Sequence, residues 1–282
     1  MRKIRAKPAR GMAAFGESRN AVAIVSAFSP QPCAKERSVF NRAACMHRNR
    51  VFQRGKDNHA NYARLHGYPL LSTHDCASPA AEQALGLVHP AAWTKVFLLQ
   101  MCIRRHPHIS WFMWIDADAL FVNKHERVET RLLTHLPPNC SLALAADGYG
   151  DGVTNGSDDG TGNPLMFNTG VLLLRGDKRA LGLLRTLGSL ATGEDRFSVT
   201  WEQQALHRLW RESEDARRAM TIVRPRQRMQ SYLKQGDVEA DAYIMHMTMC
   251  ITQRKGARNK RPCVAQVPVL LNRTETAEND WL

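Results

Sequence analysis

The chain has 282 residues, of which 44% are hydrophobic, so it can bury a full core as one large domain or as two closely packed halves. Lysine and arginine outnumber the acidic residues by 39 to 26, and the resulting charge of +13 is compatible with nucleic acid, an anionic membrane surface or a phosphorylated substrate as a partner. No apolar run approaches the roughly 18 residues that a membrane-spanning helix needs, so no transmembrane segment is expected in this chain.

The cysteines and glycosylation sequences leave the compartment open. None of the seven cysteines has a spacing typical of a zinc site. Their number allows up to three disulfides with one thiol left over. Three Asn-x-Ser/Thr sequences, at Asn139, Asn155 and Asn272, would be glycosylated only if the protein enters the secretory route.

The first part of the chain has the pattern of an α/β domain. Residues 1–20 are basic and are expected to form a flexible arm, with a transit or signal peptide as the weaker interpretation. The apolar run at 21–28 predicts a first buried strand. Residues 58–67 predict a helix that ends at a glycine, after which residues 68–71 restart an extended segment. The order of strand, helix and strand indicates an α/β fold.

A second helix is predicted over residues 91–105, where apolar side chains form a stripe along one face. Lys95 lies off this stripe, so the ordinary interpretation is a solvated lysine. The alternative is a lysine directed towards a diphosphate pocket, where it would neutralise the charge of the leaving group.

The most informative stretch comes next. Five large apolar residues at 111–115 predict a strand buried on both faces, and this strand runs directly into Asp116 and Asp118. Residues two apart in an extended chain point to the same side, so the two carboxylates are expected to converge. Such a pair suits Mg²⁺ or Mn²⁺ carrying a phosphate-bearing ligand. A solvated turn that merely ends the strand is the alternative.

Two segments of opposite character follow. Residues 124–136 are polar and helix-like, and residues 141–146 predict another strand, which ends at Asp147. Residues 148–162 contain six glycines and three aspartates and predict a mobile loop. This loop is either a lid or acceptor-binding element or a plain surface loop.

Polar residues precede the next apolar run. Asn168, Thr169 and Gly170 lead into four apolar residues, the pattern of a buried strand with a polar start. Asn168 could bond to a ligand hydroxyl, and Gly170 would allow close approach of the backbone. An ordinary turn into a strand is the alternative.

A helix is predicted to begin near residue 201. Its expected inner face consists of Trp201, Ala205, Leu209 and Trp210. Glu202 and Gln203 lie in the first turn, where the helix dipole favours an acid. The functional alternative places this carboxylate and amide beside a reacting centre.

His246 lies in a short apolar strand near the end of the chain. A lone histidine in such a strand is ordinarily a packed core residue. Beside Asp118, however, a neutral imidazole would be a suitable ligand for Mn²⁺.

Together these residues resemble glycosyltransferase family 34, which includes fungal α-galactosyl- and α-mannosyltransferases and plant xyloglucan xylosyltransferases. The resemblance spans roughly residues 21–250. The matching elements are Tyr62-Ala63, His66-Gly67-Tyr68, Trp93 with Lys95, Asp116-Ala117-Asp118, Asn168-Thr169-Gly170-Val171 with Arg175, Glu202-Gln203, and His246 followed by Cys250. The resemblance implies a GT-A fold, an α/β/α sandwich with a mostly parallel central sheet. Residues 21–282 would form one domain, with a nucleotide-binding half at 21–123 and an acceptor and catalytic half at 124–282.

The family's functional residues can be assigned position by position. The resemblance implies a metal site at Asp116, Asp118 and His246, with Mn²⁺ as the ion and Mg²⁺ as the alternative. Asp116 would contact the sugar nucleotide or a metal-bound water. The residues implied in donor binding are Lys95, Asp116, Asn168, Thr169 and Gly170. Glu202 and Gln203 would be the catalytic pair, facing the anomeric carbon.

The implied activity is Mn²⁺-dependent transfer of a hexose or pentose from a UDP- or GDP-sugar to a glycan hydroxyl, with retention of anomeric configuration. In the front-face mechanism proposed for the family, the departing diphosphate accepts the acceptor's proton. The resemblance also implies the Golgi lumen. Since family members usually begin with a membrane anchor and none is seen here, a cytoplasmic location is the alternative.

Two local departures limit what can be carried over. Met247, Thr248 and Met249 stand after His246, where the family tends to carry an aromatic, a small residue and glycine. Trp201 stands where some plant members carry a second acid, so donor specificity is not assigned.

Three other functions compete with this interpretation. The first is an inverting GT-A transferase with Asp147 or Glu202 as the base. The second is a nucleic-acid-binding protein or metal nuclease, suggested by the charge and the aspartate pair. Such nucleases need three or four clustered carboxylates, and the basic residues here are not interleaved with aromatics, so no nucleic-acid partner is expected. The third is an inactive, glycan-binding relative.

Overall fold

The computed structural model describes residues 21–28, 39–88, 90–147, 167–197, 200–232 and 241–247. The helices in these ranges are α1 (Val39–His66), α2 (Thr73–Cys76), α3 (Pro79–Gly86), α4 (Thr94–Arg105), α5 (Val128–Arg131), α6 (Lys178–Ser189), α7 (Glu202–Glu212) and α8 (Glu214–Ala219). The strands are β1 (Val22–Val25), β2 (Leu70–Leu71), β3 (Trp111–Ile115), β4 (Ala119–Phe121), β5 (Leu142–Ala146), β6 (Phe167–Arg175), β7 (Met220–Val223), β8 (Ser231–Tyr232) and β9 (Ile244–His246).

The central sheet has six strands in the order β2-β1-β3-β6-β5-β7. Strand β1 runs parallel to β2 and β3, and β5 runs parallel to β7. Strand β6 is reversed and pairs antiparallel with both β3 and β5. The predicted α/β fold with a mostly parallel sheet is therefore confirmed.

A second, three-stranded sheet has the order β4-β9-β8. Strand β4 pairs antiparallel with β9, and this register places Ala119 opposite His246. The Met247 amide also donates to the Asp118 carbonyl, at 2.9 Å. A segment more than a hundred residues away in sequence is thereby fixed beside the end of β3.

The core consists of two apolar layers, one on each face of the central sheet. All five residues of β3 are buried. Phe112 and Trp114 belong to the layer that also contains residues of α4, α6 and α7, whereas Met113 and Ile115 belong to the layer with residues of α1 and α5. The strand predicted to be buried on both faces is confirmed, because helices cover the sheet on both sides.

Most of the predicted elements are present, with different bounds. The helix predicted at 58–67 extends back to Val39 as α1, and the helix predicted at 91–105 consists of one 3₁₀ turn followed by α4. The polar segment at 124–136 is less helical than predicted and forms only α5 and a short 3₁₀ turn. The arm at 1–20 and the loop at 148–162 lie outside the described residues.

The predicted inner face of α7 was partly wrong. Trp201 is 43% exposed, and the residues that α7 buries include Glu202, Gln203, Ala205 and Leu206. Trp201 precedes the helix with a φ of 47°, a left-handed conformation that is uncommon for a large residue. This backbone turn directs the first helical residues, rather than Trp201, into the interior.

The described residues include one disulfide between two helices and one buried free thiol. A disulfide joins Cys76 in α2 to Cys102 in α4, and Cys140 is a buried free thiol. Among the helices of the described ranges, none is both long and apolar enough to cross a bilayer.

Candidate active site

The site lies where β3 ends and the chain turns towards β4. The Asp116 amide donates to the Gly170 carbonyl at 2.8 Å, and the Ala119 amide donates to the Asp116 carbonyl at 2.9 Å, which closes the turn. The Trp114 indole Nε1 donates to Asp116 Oδ1 at 2.6 Å and orients that carboxylate. The two carboxylates are therefore close together, as predicted, but a turn after the buried strand brings them together rather than an extended chain.

Asp116, Asp118 and His246 form a cluster whose potential ligand atoms all lie within 4.8 Å of one another. His246 Nε2 is 3.3 Å from Asp118 Oδ1 and 3.9 Å from Asp116 Oδ2. The His246 side chain is 1% exposed, yet neither ring nitrogen has a hydrogen bond to any described residue. A buried imidazole whose nitrogens make no well-aligned hydrogen bond is unusual, and a cation between Nε2 and the neighbouring carboxylates would satisfy it. Two carboxylates and an imidazole fit a divalent ion such as Mn²⁺.

The electrostatics of Asp118 agree with a ligand role. Burial disfavours its charged form, but the neighbouring His246 and, to a smaller extent, Lys95 outweigh this effect and hold the pKa of Asp118 below its usual value. The carboxylate therefore stays ionised, as metal coordination requires.

Gly170 is necessary for the position of His246. A Cβ atom built on Gly170 would lie 1.9 Å from His246 Cε1 and 2.3 Å from His246 Nδ1. Gly170 does allow a close approach to the backbone, as predicted, but in the described residues the group that approaches is the His246 side chain. Gly170 thus links the β6 backbone to the proposed metal ligand.

Lys95 is buried, with 4% of its surface exposed, so the ordinary interpretation of a solvated lysine was wrong. Its Nζ lies 3.0 Å from Asp116 Oδ1 and 2.9 Å from Glu202 Oε1, and it donates to the Thr169 carbonyl at 3.0 Å. Burial alone would lower the pKa of Lys95, but the two carboxylates raise it above the usual value. A permanent cation therefore joins the aspartate turn to α7.

Glu202 lies in the first turn of α7 and is 3% exposed. Its Oε1 accepts hydrogen bonds from Lys95 and, at 2.9 Å, from Thr169 Oγ1. Its Oε2 is buried and has no partner among the described residues. Burial raises the pKa of Glu202 above its usual value, and the Lys95 ammonium offsets part of that effect. One carboxylate oxygen is thus held firmly, while the other has no hydrogen-bond partner among the described residues.

Gln203, Asn168 and Thr169 form a polar network beside this carboxylate. Gln203 Oε1 accepts hydrogen bonds from Asn168 Nδ2 and from the Thr169 amide, both at 3.2 Å. Asn168 Oδ1 accepts a bond from the Gly170 amide at 2.7 Å. The three segments that the sequence singled out as polar are therefore brought together.

Gln230 and Tyr232 are further members of this network. Gln230 is fully buried, and its Nε2 donates to Asn168 Oδ1 and to the Tyr232 hydroxyl, both at 3.0 Å. Tyr232 in turn donates to Asp147 Oδ1 at 3.0 Å. The sequence gives no signal for Gln230, because an isolated glutamine in a short irregular segment belongs to no recognisable motif.

Comparison of the fold identifies its class. The structure resembles the crystal structure of a glycosyltransferase involved in the glycosylation of the major capsid of PBCV-1, with a TM-score of 0.54 and 16% sequence identity. The similarity covers 89% of this chain and 98% of that one. The fold is the GT-A glycosyltransferase fold.

The sequence is similar to one family over part of its length. Residues 21–147 match the model of the galactosyl transferase GMA12/MNN10 family, which confirms the resemblance to glycosyltransferase family 34. An alpha-1,2-galactosyltransferase of Schizosaccharomyces pombe is 30% identical over 102 residues, covering 33% of this chain and 26% of that protein. Xyloglucan 6-xylosyltransferase 4 of Arabidopsis thaliana is 26% identical over 163 residues, covering 58% of this chain and 26% of that protein. The matched regions thus span about a quarter of each relative's length.

Proposed function

We propose that the protein is a Mn²⁺-dependent retaining glycosyltransferase that moves a hexose or pentose from a UDP- or GDP-sugar to a glycan hydroxyl. The observation that carries the proposal is the cluster of Asp116, Asp118 and His246, which a single cation, Lys95, connects to the buried Glu202 carboxylate. The family match and the names of the relatives support a sugar-transfer reaction.

Asp116, Asp118 and His246 would hold the divalent ion, which supplies positive charge to the diphosphate leaving group when bound. Asp116 is kept in place by Trp114 and Lys95, so its carboxylate needs little rearrangement to act as a ligand or to contact a bound water. A site that is ordered before the donor binds loses little free energy on ordering its side chains.

Lys95 contributes to this site through the two carboxylates that it contacts. Its three contacts, to Asp116, Glu202 and the Thr169 carbonyl, match the three donors of an ammonium group. Two acids facing one another in the interior without a cation would be costly. Lys95 therefore supplies the positive charge between the two carboxylates and fixes their separation, and through them it would lie near the donor.

Glu202 and Gln203 are proposed to act at the transferred sugar. Positive charge develops at the anomeric carbon as the bond to the diphosphate breaks, and the partner-free Glu202 Oε2 can stabilise that charge. Gln203 holds Asn168 and Thr169 in a fixed arrangement in which Asn168 can orient sugar hydroxyls. The departing diphosphate takes the proton of the acceptor hydroxyl, so a separate general base is not required.

The acceptor is proposed to bind near the start of α7. Trp201 is 43% exposed and directly precedes Glu202, and Phe197 in the preceding 3₁₀ turn is 68% exposed. Exposed aromatic side chains close to a polar site are typical of ligand-binding surfaces. The Cys76–Cys102 disulfide supports a location in the secretory pathway, including the Golgi lumen, where disulfides persist.

The proposal is tested by incubating the protein with UDP- and GDP-sugars, Mn²⁺ and a panel of oligosaccharides, and by determining the anomeric configuration of the product by NMR. A product with the donor's configuration, formed only with a divalent ion, is expected. An inverted product would favour the inverting alternative with Asp147 or Glu202 as the base. A Glu202→Gln variant serves as a control for catalysis by trace contaminants.

A further inference from the structure

One face of helix α1 contacts the turn that carries the proposed metal ligands. Gly55, Asn58, His59 and Tyr62 are spaced at i, i+3, i+4 and i+7, so they lie on the same side of the helix. Each of them contacts the segment from Ala117 to Phe121, which includes Asp118. The helix therefore lies along the outer side of this segment.

Asn58 makes the backbone hydrogen bonds that a neighbouring strand would otherwise make at one edge of β4. Its Oδ1 accepts a hydrogen bond from the Phe121 amide at 2.8 Å, and its Nδ2 donates to the Phe121 carbonyl at 3.0 Å. Asn58 is 6% exposed, so water cannot readily substitute for these two bonds. Strand β9 pairs with the opposite edge of β4. Strand β4 thus has a hydrogen-bonding partner at each of its two edges.

His59 and Gly55 hold the residues closer to Asp118. His59 Nε2 lies 2.7 Å from the Ala119 carbonyl, which can only accept, so this nitrogen carries the proton. A Cβ atom built on Gly55 would lie 2.1 Å from the Ala117 carbonyl oxygen, so only glycine allows the helix this close. The two contacts fix the backbone on either side of Asp118.

Aromatic packing completes the contact. The ring of Tyr62 stacks on that of Phe121, with centroids 3.5 Å apart and planes 9° from parallel. The Asp118 carbonyl on the other side of the turn accepts the Met247 amide, next to His246. The turn therefore lies between α1 and the strand that supplies the third metal ligand.

We infer that Gly55, Asn58 and His59 are positioning residues, which fix the 117–121 backbone so that Asp118 faces His246 at the separation a divalent ion requires. This inference rests on the proposed function, because that function supplies the metal. Ordinary core packing needs only apolar contact, whereas three of these contacts are directed at the backbone of the ligand-bearing segment itself. Replacing a residue that positions a metal ligand typically lowers the metal affinity by about 10- to 100-fold.

The test compares Asn58→Ala and Gly55→Ala with two matched controls. Gln53→Ala removes an amide from the exposed side of α1, where Gln53 contacts Asp57. Gly182→Ala adds a methyl group to a glycine within helix α6 that has no atom within 4 Å of the added position. Two quantities are measured for each protein: exchange of the Phe121 amide hydrogen without metal, and Mn²⁺ affinity by titration.

Asn58→Ala is expected to speed exchange at Phe121 and to weaken Mn²⁺ binding about 10-fold or more, and Gly55→Ala is expected to weaken Mn²⁺ binding similarly. Both controls are expected to behave like the unaltered protein. Unchanged exchange in Asn58→Ala, or unchanged Mn²⁺ affinity in both test variants, would overturn the inference. If the unaltered protein bound no Mn²⁺, the metal assignment itself would fail, while the exchange measurement would still decide whether α1 orders the turn.

Discussion

Replacing Gly170 with alanine places a methyl group where the His246 ring now lies. The added Cβ would be 1.9 Å from Cε1, 2.3 Å from Nδ1 and 2.7 Å from Nε2 of that ring. Carbon atoms pack at about 3.5 to 4.0 Å, so the ring must move by about 1.5 Å or the β6 backbone must shift by a similar distance. Either movement changes the position of Nε2 relative to Asp118.

The expected loss of function follows from this displacement. A ligand displaced by more than about 1 Å no longer meets the geometry of the other two, and we expect Mn²⁺ affinity to fall about 10- to 100-fold, or about 1.4 to 2.7 kcal/mol. Overpacking of a buried site is expected to reduce the free energy of unfolding by about 1 to 3 kcal/mol as well.

Mn²⁺ affinity is measured by the electron paramagnetic resonance signal of the free ion, and stability by urea unfolding. Gly170→Ala is compared with His246→Ala and with the double variant. The added methyl group acts by displacing the His246 ring. The double variant should therefore bind Mn²⁺ almost as strongly as His246→Ala alone. Unaltered Mn²⁺ binding in Gly170→Ala, or equal losses in the presence and absence of His246, would refute the reasoning.

Three other predictions concern catalysis, pH and the disulfide. Glu202→Gln is expected to lower kcat about 100-fold or more at saturating donor with little loss of donor affinity; a collapse of donor affinity with preserved turnover would make Glu202 a binding residue. Burial lowers the pKa of His59 from 6.5 in the unfolded chain to about 4 in the folded protein. Between these values only the unfolded chain takes up the proton, so the free energy of unfolding is highest above pH 6.5 and falls as the pH falls towards 4. The free energy of unfolding should therefore drop by about 2 to 3 kcal/mol between about pH 7.5 and 4.5, and this part of the drop should be absent from His59→Gln in urea titrations. Cys76 and Cys102 are 26 residues apart, so replacing both with alanine should cost about 3.5 kcal/mol of stability in the chain-entropy account, and an unchanged urea midpoint would contradict this.

Local sequence pattern was sufficient for the parts of the site that depend on a single segment. The apolar run followed by Asp116 and Asp118 correctly predicted a buried strand with two neighbouring carboxylates at its end, although the carboxylates converge in a turn rather than along an extended chain. The position of Glu202 and Gln203 at the start of a helix is likewise a local property. The structure confirms both elements.

Features that depend on distant segments could not be predicted from local pattern. The burial of Lys95 follows from two acids contributed by other parts of the chain, one of them more than a hundred residues away. A lysine off the apolar stripe of its own helix carries no sign of them. The pairing of His246 with the aspartate turn depends on the β4–β9 register, which local pattern does not contain, so the sequence offered it only as an alternative that the family resemblance supported.

Two glycines show the same limit. Gly170 was expected to make room for a ligand, but the atoms next to it belong to His246. Gly55 lies in a part of α1 whose residues are largely polar and give no helical stripe, so the approach to Ala117 had no signal in sequence. In each case the requirement for glycine comes from an atom of a remote segment.

The central claim is that Asp116, Asp118 and His246 hold a divalent ion that binds a nucleotide diphosphate. The most direct measurement is a thermal-unfolding screen of UDP, GDP and their sugar conjugates, with and without Mn²⁺, on the unaltered protein and on Asp118→Ala. A ligand that binds only the native state at 100 times its Kd adds about 2.7 kcal/mol of stability. The account predicts a Mn²⁺-dependent rise in the melting temperature with one of the two nucleotides, and no such rise in a folded Asp118→Ala variant. A rise that is independent of Mn²⁺, or one that persists in Asp118→Ala, would contradict it.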